Sequence, residues 1–534
     1  MNIYLIGVII SIIVYIIIGN YAGKSVKDID DYYVSGRNAT TILIAGTLFA
    51  SMLSTNGFMG DTGWVYDGNI TKLVMLNVLC GSGYIIGPMF FGRYLRRSQV
   101  VTMPEFYGKR FNSRRIQSFA GITTVISLTA YLLAVTQGTA LLMQQLTGLS
   151  FGICLVISFI CFTSFTMYSG SSGVILTDTL MFMIFISATI VAGPFIFQAA
   201  GGVSSVIPNV ISDPAISHDM LSYHGILGQG ESALDSMIYA ITMGIVWLIT
   251  VSVSPWQASR NLMAKNEHVT FRAGVVACIC TTVFLTFLYF IAVAIKLINP
   301  AISPSEQVII WSCFNVMPKF VGVLVLTGVM AAGLSSASTF LSVVGFSLTN
   351  DIYDFNFKDD KAKLRMSRLT MLIVGVIALG IAYIMPPSIR VISWFASTII
   401  AASWGLVAFM SVWSKKLTET GAFYGMVTGF VVFFVGKMAK EFMGLPLNNI
   451  LDPFFLALLF GYISIMIGNK KGTIGKEEKI FINMMLTVPE EEKSAELFKR
   501  DKLYAKVLIA SGALMMVILI VFWAIPYNNF MGVM

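Results

Sequence analysis

The chain has 534 residues, of which 56% are hydrophobic and only 12% charged. Soluble domains carry roughly 25% charged residues, so the composition excludes a soluble enzyme or binding domain and describes an integral membrane protein. The formal net charge of +8 would suit a nucleic-acid partner only if the cations gathered on one surface, and they do not.

Fourteen apolar runs follow one another, at about 3–19, 42–65, 73–92, 118–146, 152–168, 173–200, 234–257, 270–297, 318–350, 367–385, 389–413, 420–438, 451–468 and 504–526. They lie near the ~20 residues that cross a bilayer as helix, whereas barrel strands would be half as long and would alternate. The first run, Ile3 to Ile18, has no positive n-region before it and no small-residue cleavage site. It reads as a retained anchor, not a signal peptide.

Span 2 reads AGTLFASMLSTNGFMGDTGW and places Ser51, Ser54, Thr55, Asn56 and Gly57 in mid-membrane. Polar groups and helix breakers are costly there unless they line a cavity. Asp61 and Asp67 fall near the outer end of this span and are expected to be solvated. Asp178 lies in the first turns of span 6, where a carboxylate either serves function or caps the helix beside Thr177 or answers a nearby arginine. The loop 201–233 is expected to fold over the outer face. Span 7 carries Ser252, Ser254 and Pro255 near its inner end. It is therefore interrupted five spans after span 2, as in inverted-repeat transporters whose paired broken helices flank the binding site.

Span 9 contains Met330 to Asp354, MAAGLSSASTFLSVVGFSLTNDIYD. Ala332, Ser335, Ser336 and Thr339 fall at i, i+3, i+4 and i+7, on one helix face. Such a face can gather neutral oxygens for a small, hard cation, or it can simply let two membrane helices pack closely; both readings stand at this point. Farther on, Gly421, Gly425 and Gly429 form a close-packing face, as do Gly83 and Gly87.

The basic residues cluster in connections 93–117, 351–368 and 469–503, the last with eight Lys or Arg, while loop 201–233 has none. The positive-inside rule makes those connections cytoplasmic and both termini extracytoplasmic. The net charge then reflects topology, and nucleic acid is not needed. The six cysteines lie in or beside apolar runs and read as inert buried thiols. The three histidines, His218, His224 and His268, fall in expected loops. No catalytic constellation, phosphate loop or transition-metal cluster appears.

Several stretches together resemble the sodium/solute symporter family. SVWSKKLTETGAFYGMVTGFV, Ser411 to Val431, has Lys416, Gly421–Ala422, Gly425 and Gly429 at that family's intervals. The span 9 helix ends in Asp351, Ile352 and Tyr353 as its sodium-site helix does. Thr177–Asp178 matches its Thr-Asp, and SPWQASRNLMAKNEH places Arg260 and Ala264–Lys265 in register. The similarity covers about residues 5 to 470.

The resemblance implies an all-α membrane protein with a five-plus-five inverted repeat of the leucine-transporter type and additional helices. Residues 1–41 would be an anchor helix and loop, 42–200 the first repeat, 201–233 an extracellular loop and 234–413 the second repeat. Residues 414–534 would be peripheral helices with the cytoplasmic loop 469–503. It implies sodium-driven uptake across the cell membrane, with sodium, a small solute and the lipid bilayer as partners and no obligate protein partner. One sodium would take the carbonyls of Ala50, Leu53 and Ala332 and the hydroxyls of Ser335 and Ser336. A possible second sodium would take Asp178, Ser335, Ser338 and Thr339. Met52 stands where the proline branch has an aspartate, which leaves the first site neutral.

The solute is expected beside the breaks, at Ser54, Thr55, Asn56 and Gly57, with Trp247 and Gln137 as further contacts. Sugar-binding members have a glutamine at the position of Gly57, so a hexose is not expected. No intramembrane arginine is evident to hold a carboxylate. An amino acid such as proline, or a small monocarboxylate such as pantothenate, is the expected solute. The alternatives are a symporter for another solute class and a non-transporting sensor of the same fold.

Overall fold

The computed structural model describes all residues except 1–2, 25, 227–231, 354–356, 358, 386–388, 446–448 and 533–534. Asp354 and part of the loop 201–233 therefore lie outside the described residues. Among the described residues the protein is helical throughout and contains no strand, with one isolated parallel bridge between Ala39 and Ala264.

The helices used below are α1 (Ile3–Gly23), α2 (Thr41–Thr55), α3 (Ile70–Gly87), α4 (Arg114–Thr147), α5 (Phe151–Ala199), α6 (Ala233–Val253) and α7 (Pro255–Met263). They continue with α8 (Glu267–Ile298), α9 (Lys319–Ser347), α10 (Asp360–Ile384), α11 (Ile389–Trp413), α12 (Glu419–Phe442), α13 (Pro453–Lys471) and α14 (Ala495–Leu519).

Twelve helical stretches among the described residues are long and apolar enough to cross a membrane, where the sequence led us to expect fourteen. The difference lies at two places. Thr41–Arg97 is counted as one stretch of 57 residues, and Phe151–Ser164 is too short to count alone. A straight helix of that first length would span about 85 Å at ~1.5 Å per residue, far more than a ~30 Å hydrocarbon core. The stretch turns at Gly68, at φ 105°. Likewise α5 turns at Gly170, at φ 54° and ψ −145°. Only glycine adopts such angles without strain, and at Gly170 a Cβ would also meet the backbone oxygen of Tyr32.

At the centre stands α9, packed against α2, α4 and α5. It is apolar on every side apart from its hydroxyl groups, the signature of a buried helix, and every residue from Val325 to Ser347 is buried. The glycine faces do pack helices closely. A Cβ at Gly421 or Gly425 would strike α13, one at Gly429 would strike α11, and those at Gly83 and Gly87 would strike α6. At the periphery α14 buries almost nothing within the protein. Its N-terminal end is held by Asp501, which accepts from Arg272 Nε at 2.6 Å and contacts His268 Nδ1 at 2.6 Å. His268 is thus a buried residue in the first turn of α8, not a loop residue, because these contacts draw the start of α8 under the C-terminal segment.

Candidate functional site

The site begins with the break in α2. Ser51 Oγ donates back to the Thr47 carbonyl at 2.6 Å, a local bond that competes with regular helix geometry. Three residues on, Ser54 turns to φ 45° and ψ −176°. Its hydroxyl accepts the Asn56 amide at 3.0 Å, and the same amide reaches the Leu53 carbonyl. Main-chain carbonyls beside the break thereby face a neighbour instead of the next helical turn. That neighbour is α9: Ser336 Oγ donates to the carbonyls of Ser51 at 3.3 Å and Ala50 at 3.5 Å.

The second break separates α6 from α7. Ser254 is extended at φ −66° and ψ 151°, and Pro255 opens α7. Proline has no N–H to continue a helix and suits a first turn. Ser252 Oγ ties the end of α6 to the Gly83 carbonyl of α3 at 3.2 Å. In α7, Gln257 Nε2 donates to the Leu48 carbonyl of α2 at 3.3 Å.

One turn along α9 from Ser336, the hydroxyl face meets Asp178 of α5. Its Oδ2 accepts Thr47 Oγ1 at 2.6 Å and Thr339 Oγ1 at 3.5 Å. The guanidinium of Arg260, carried by α7, also bonds Thr339 and lies 3.7 Å from Asp178 Oδ2. All four side chains are buried. The expectation that no arginine lies within the spans is therefore corrected. Arg260 sits in the membrane-length stretch Ala233–Met263, because the break at Ser254 carries α7 back into the core.

Two oxygens here lack partners. Ser335 Oγ and Asp178 Oδ1 are buried and make no hydrogen bond, although the Ser335 hydroxyl lies beside that carboxylate. Buried polar atoms are normally satisfied, so an orphaned hydroxyl and carboxylate oxygen mark a place for a small hard cation. Of the expected ion ligands, Ala50 and Ser336 meet between α2 and α9, with Ala332 buried on the same helix face, and Ser335 lies beside Asp178. Asp178 and Thr339 meet one turn away. Ser338 is otherwise engaged and donates to the Ser335 carbonyl at 2.8 Å.

Beside the break lies a small cavity of about 20 Å³, lined in part by Asn56, Gly57, Asp61, Trp247, Tyr289 and Trp394. That is room for about one water. Among the expected solute contacts it gathers Asn56, Gly57 and Trp247. Ser54 and Thr55 do not line it; Thr55 wedges between Gly138 of α4 and Gly333 of α9. Gln137 turns instead to the end of α10, donating to the carbonyls of Met385 at 2.9 Å and Ala382 at 3.2 Å.

Asp61 corrects a second expectation. It is buried and faces the cavity, where solvation near the outer end of span 2 was expected. The cause is local. Residues Asn56–Asp61 wind as a π-helix, which brings Asn56 and Asp61, five apart, into contact. Asn56 Nδ2 donates to Asp61 Oδ1 at 3.2 Å. Asp67, by contrast, is exposed.

A membrane-spanning helical protein with two broken helices around buried oxygens and a small cavity has the plan of a secondary transporter. The sodium:solute symporter family model matches residues 32–429, and this chain belongs to that family. Its relatives include the sodium/pantothenate symporter of Escherichia coli, 22% identical over 458 residues, covering 83% of this chain and 91% of the relative. The sodium/proline symporter of Salmonella typhimurium is 25% identical over 475 residues, covering 85% and 90%. Among solved structures, a sodium-coupled sialic acid symporter in its substrate-bound outward-open state superposes with TM-score 0.75 at 17% identity, covering 88% of this chain and 96% of that one.

Proposed function

We propose that this protein takes up a small organic solute, an amino acid or a small monocarboxylate, by alternating access driven by sodium. The observation that carries this reading is the pair of orphaned oxygens, Ser335 Oγ and Asp178 Oδ1, between the broken α2 and the central α9. A first sodium would take the carbonyls of Ala50, Leu53 and Ala332 with Ser335 and Ser336. A second would take Asp178, Ser335 and Thr339, with Ser338 through its remaining lone pairs. Asn56, Gly57 and Trp247 would contact the solute directly, with Ser54 and Thr55 shaping the break and Gln137 positioning α10.

Coupling follows from the bridge. An ion joining α2 to α9 favours one arrangement of the broken helix, so solute binds better with sodium present. The membrane potential adds about 2.3 kcal/mol per charge per 100 mV.

In this reading Thr41–Arg97 crosses twice and Phe151–Ala199 crosses twice, giving fourteen spans with repeats at 42–200 and 234–413. The termini face outward from the cell membrane. Uptake of a labelled solute panel into proteoliposomes, with and without an inward sodium gradient, tests the proposal. Saturable, sodium-stimulated uptake is expected; its absence across the panel would favour a non-transporting sensor.

A further inference from the structure

Most buried carboxylates in this protein have strong partners. Asp178 has Arg260, Glu267 has Arg97, and Asp351 accepts bonds from Thr102, Gln117, Asn350 and Ser347. Asp61 is different. It is the one acidic side chain among the described residues lining the central cavity, and its donors are the Asn56 amide and the Tyr289 hydroxyl, with no guanidinium or ammonium among them. No cationic group among the described residues comes within ion-pair distance of it. Arg390, the nearest cation, acts on Asp61 through its field from beyond ion-pair distance and lies over the rings of Trp64 and Trp394, at 4.4 Å and 4.9 Å from their centroids.

A carboxylate removed from water needs a cation or several donors to offset its lost hydration. Here one amide and one phenol hydroxyl do that work, and the cavity lining includes the aromatic side chains of Trp247, Tyr289 and Trp394 beside Met52, Leu76 and Leu285. Aromatic faces attract cations electrostatically. A carboxylate set among aromatic rings in a solute cavity is thus complementary to a positively charged nitrogen. An uncharged polyol or a monocarboxylate lacking an amine would leave Asp61 unpaired, and a second anion would be repelled.

We infer that the solute carries a cationic amino group and that Asp61 is the residue that selects it. This rests on the symport reading above and narrows it to amine-bearing solutes. Asn56 positions the carboxylate: its Nδ2 holds Asp61, and its Oδ1 accepts Ser393 Oγ of α11 at 3.2 Å. Recognition of the charged nitrogen would thereby reach both the break in α2 and α11, two elements that wall the cavity.

The test uses the full chain in proteoliposomes. A labelled panel of amino acids, betaines, polyols and amine-free monocarboxylates is screened for sodium-driven uptake, and binding of radioactive sodium is measured separately without solute. The transported solutes are expected to carry a cationic nitrogen, and the N-acetylated forms of those with a free amine are expected not to compete. Asp61→Asn is expected to raise KM for them by about 30-fold or more, the usual loss when one partner of a buried charge pair is truncated, with sodium binding retained. Uptake confined to amine-free solutes, or an unchanged KM in Asp61→Asn, would overturn the inference and leave sodium symport standing. Loss of solute-free sodium binding in Asp61→Asn would overturn it in favour of an ion site. No sodium-driven uptake of any panel member would overturn both readings. Should Asp61→Asn fail to fold, competition by N-acetylated solutes in the unmodified protein decides the matter alone.

Discussion

Arg260 Nη2 stands 3.7 Å from Asp178 Oδ2, with both side chains sealed inside the protein. A tethered guanidinium therefore neutralises the same carboxylate that a second sodium would use. Breaking such a pair from one side costs about 3–5 kcal/mol, because the remaining charge is left buried and unpaired. Arg260→Gln is expected to lower stability by about that amount in potassium chloride. In sodium chloride of equal ionic strength the loss should be smaller, since a bound ion stabilises the folded state. Thermal unfolding in the two salts measures this, and an equal loss in both would show that sodium does not reach Asp178.

Ser335 and Ser336 should separate ion binding from helix packing. The Ser335 hydroxyl makes no hydrogen bond, whereas Ser336 ties α9 to the break in α2. Removing an unsatisfied hydroxyl is near neutral for stability, while removing a made bond costs about 1 kcal/mol. Both alanine variants are expected to raise the sodium concentration for half-maximal uptake by about tenfold, the loss of roughly 1.4 kcal/mol of ion binding. Only Ser336→Ala should also lower the melting temperature. Unchanged sodium dependence in both would remove these hydroxyls from the ion site.

Asp351 secures the far end of α9. Its Oδ1 accepts Thr102 Oγ1 at 2.8 Å, Gln117 Nε2 at 2.9 Å and Asn350 Nδ2 at 3.0 Å, and its Oδ2 accepts Ser347 Oγ at 3.0 Å. One carboxylate thus joins α9 to α4 and to the connection before it. Asp351→Ala is expected to destabilise the protein by about 2–3 kcal/mol, the scale of hydrogen bonds to a charged group. Denaturation of the detergent-solubilised protein reads it out, and a wild-type transition would show that the hub carries no stability.

Gly170 should tolerate no side chain. Its φ of 54° and ψ of −145° lie outside the range of L-residues, and a Cβ would strike Tyr32. Gly170→Ala is expected to cost about 1–3 kcal/mol from backbone strain, beyond any steric displacement. Yield and melting temperature of the membrane-extracted protein report the loss; near-normal values would show that α5 can turn elsewhere.

The elements legible in the chain were those that break a local pattern. Ser54 and Pro255 announce interrupted helices because polar or imino residues are conspicuous in apolar runs. Ser335, Ser336 and Thr339 align because helical periodicity is fixed. What stayed hidden depends on geometry that spacing does not encode. Arg260 reaches Asp178 only because α7 folds back after the break, a contact between residues far apart in the chain. Asp61 reads as an outer residue when an ordinary α-helix is assumed; the π-helical turns of Asn56–Asp61 keep it inward. The contact of the Gln137 amide with the open end of α10 is likewise invisible in spacing, since it joins residues far apart in the chain.

Ser54 bears a further consequence. A side-chain-bearing residue at φ 45° and ψ −176° carries roughly 1–3 kcal/mol of backbone strain. Coupling free energies between two ligands typically span about the same range, 1–3 kcal/mol. A hinge tensioned to the same degree as the signal it transmits behaves as a balance near its tipping point, where one ion's occupancy is enough to swing it. Glycine at this position would slacken the hinge, leaving the break formed whether or not the ion is present and blunting the ion's leverage over the solute.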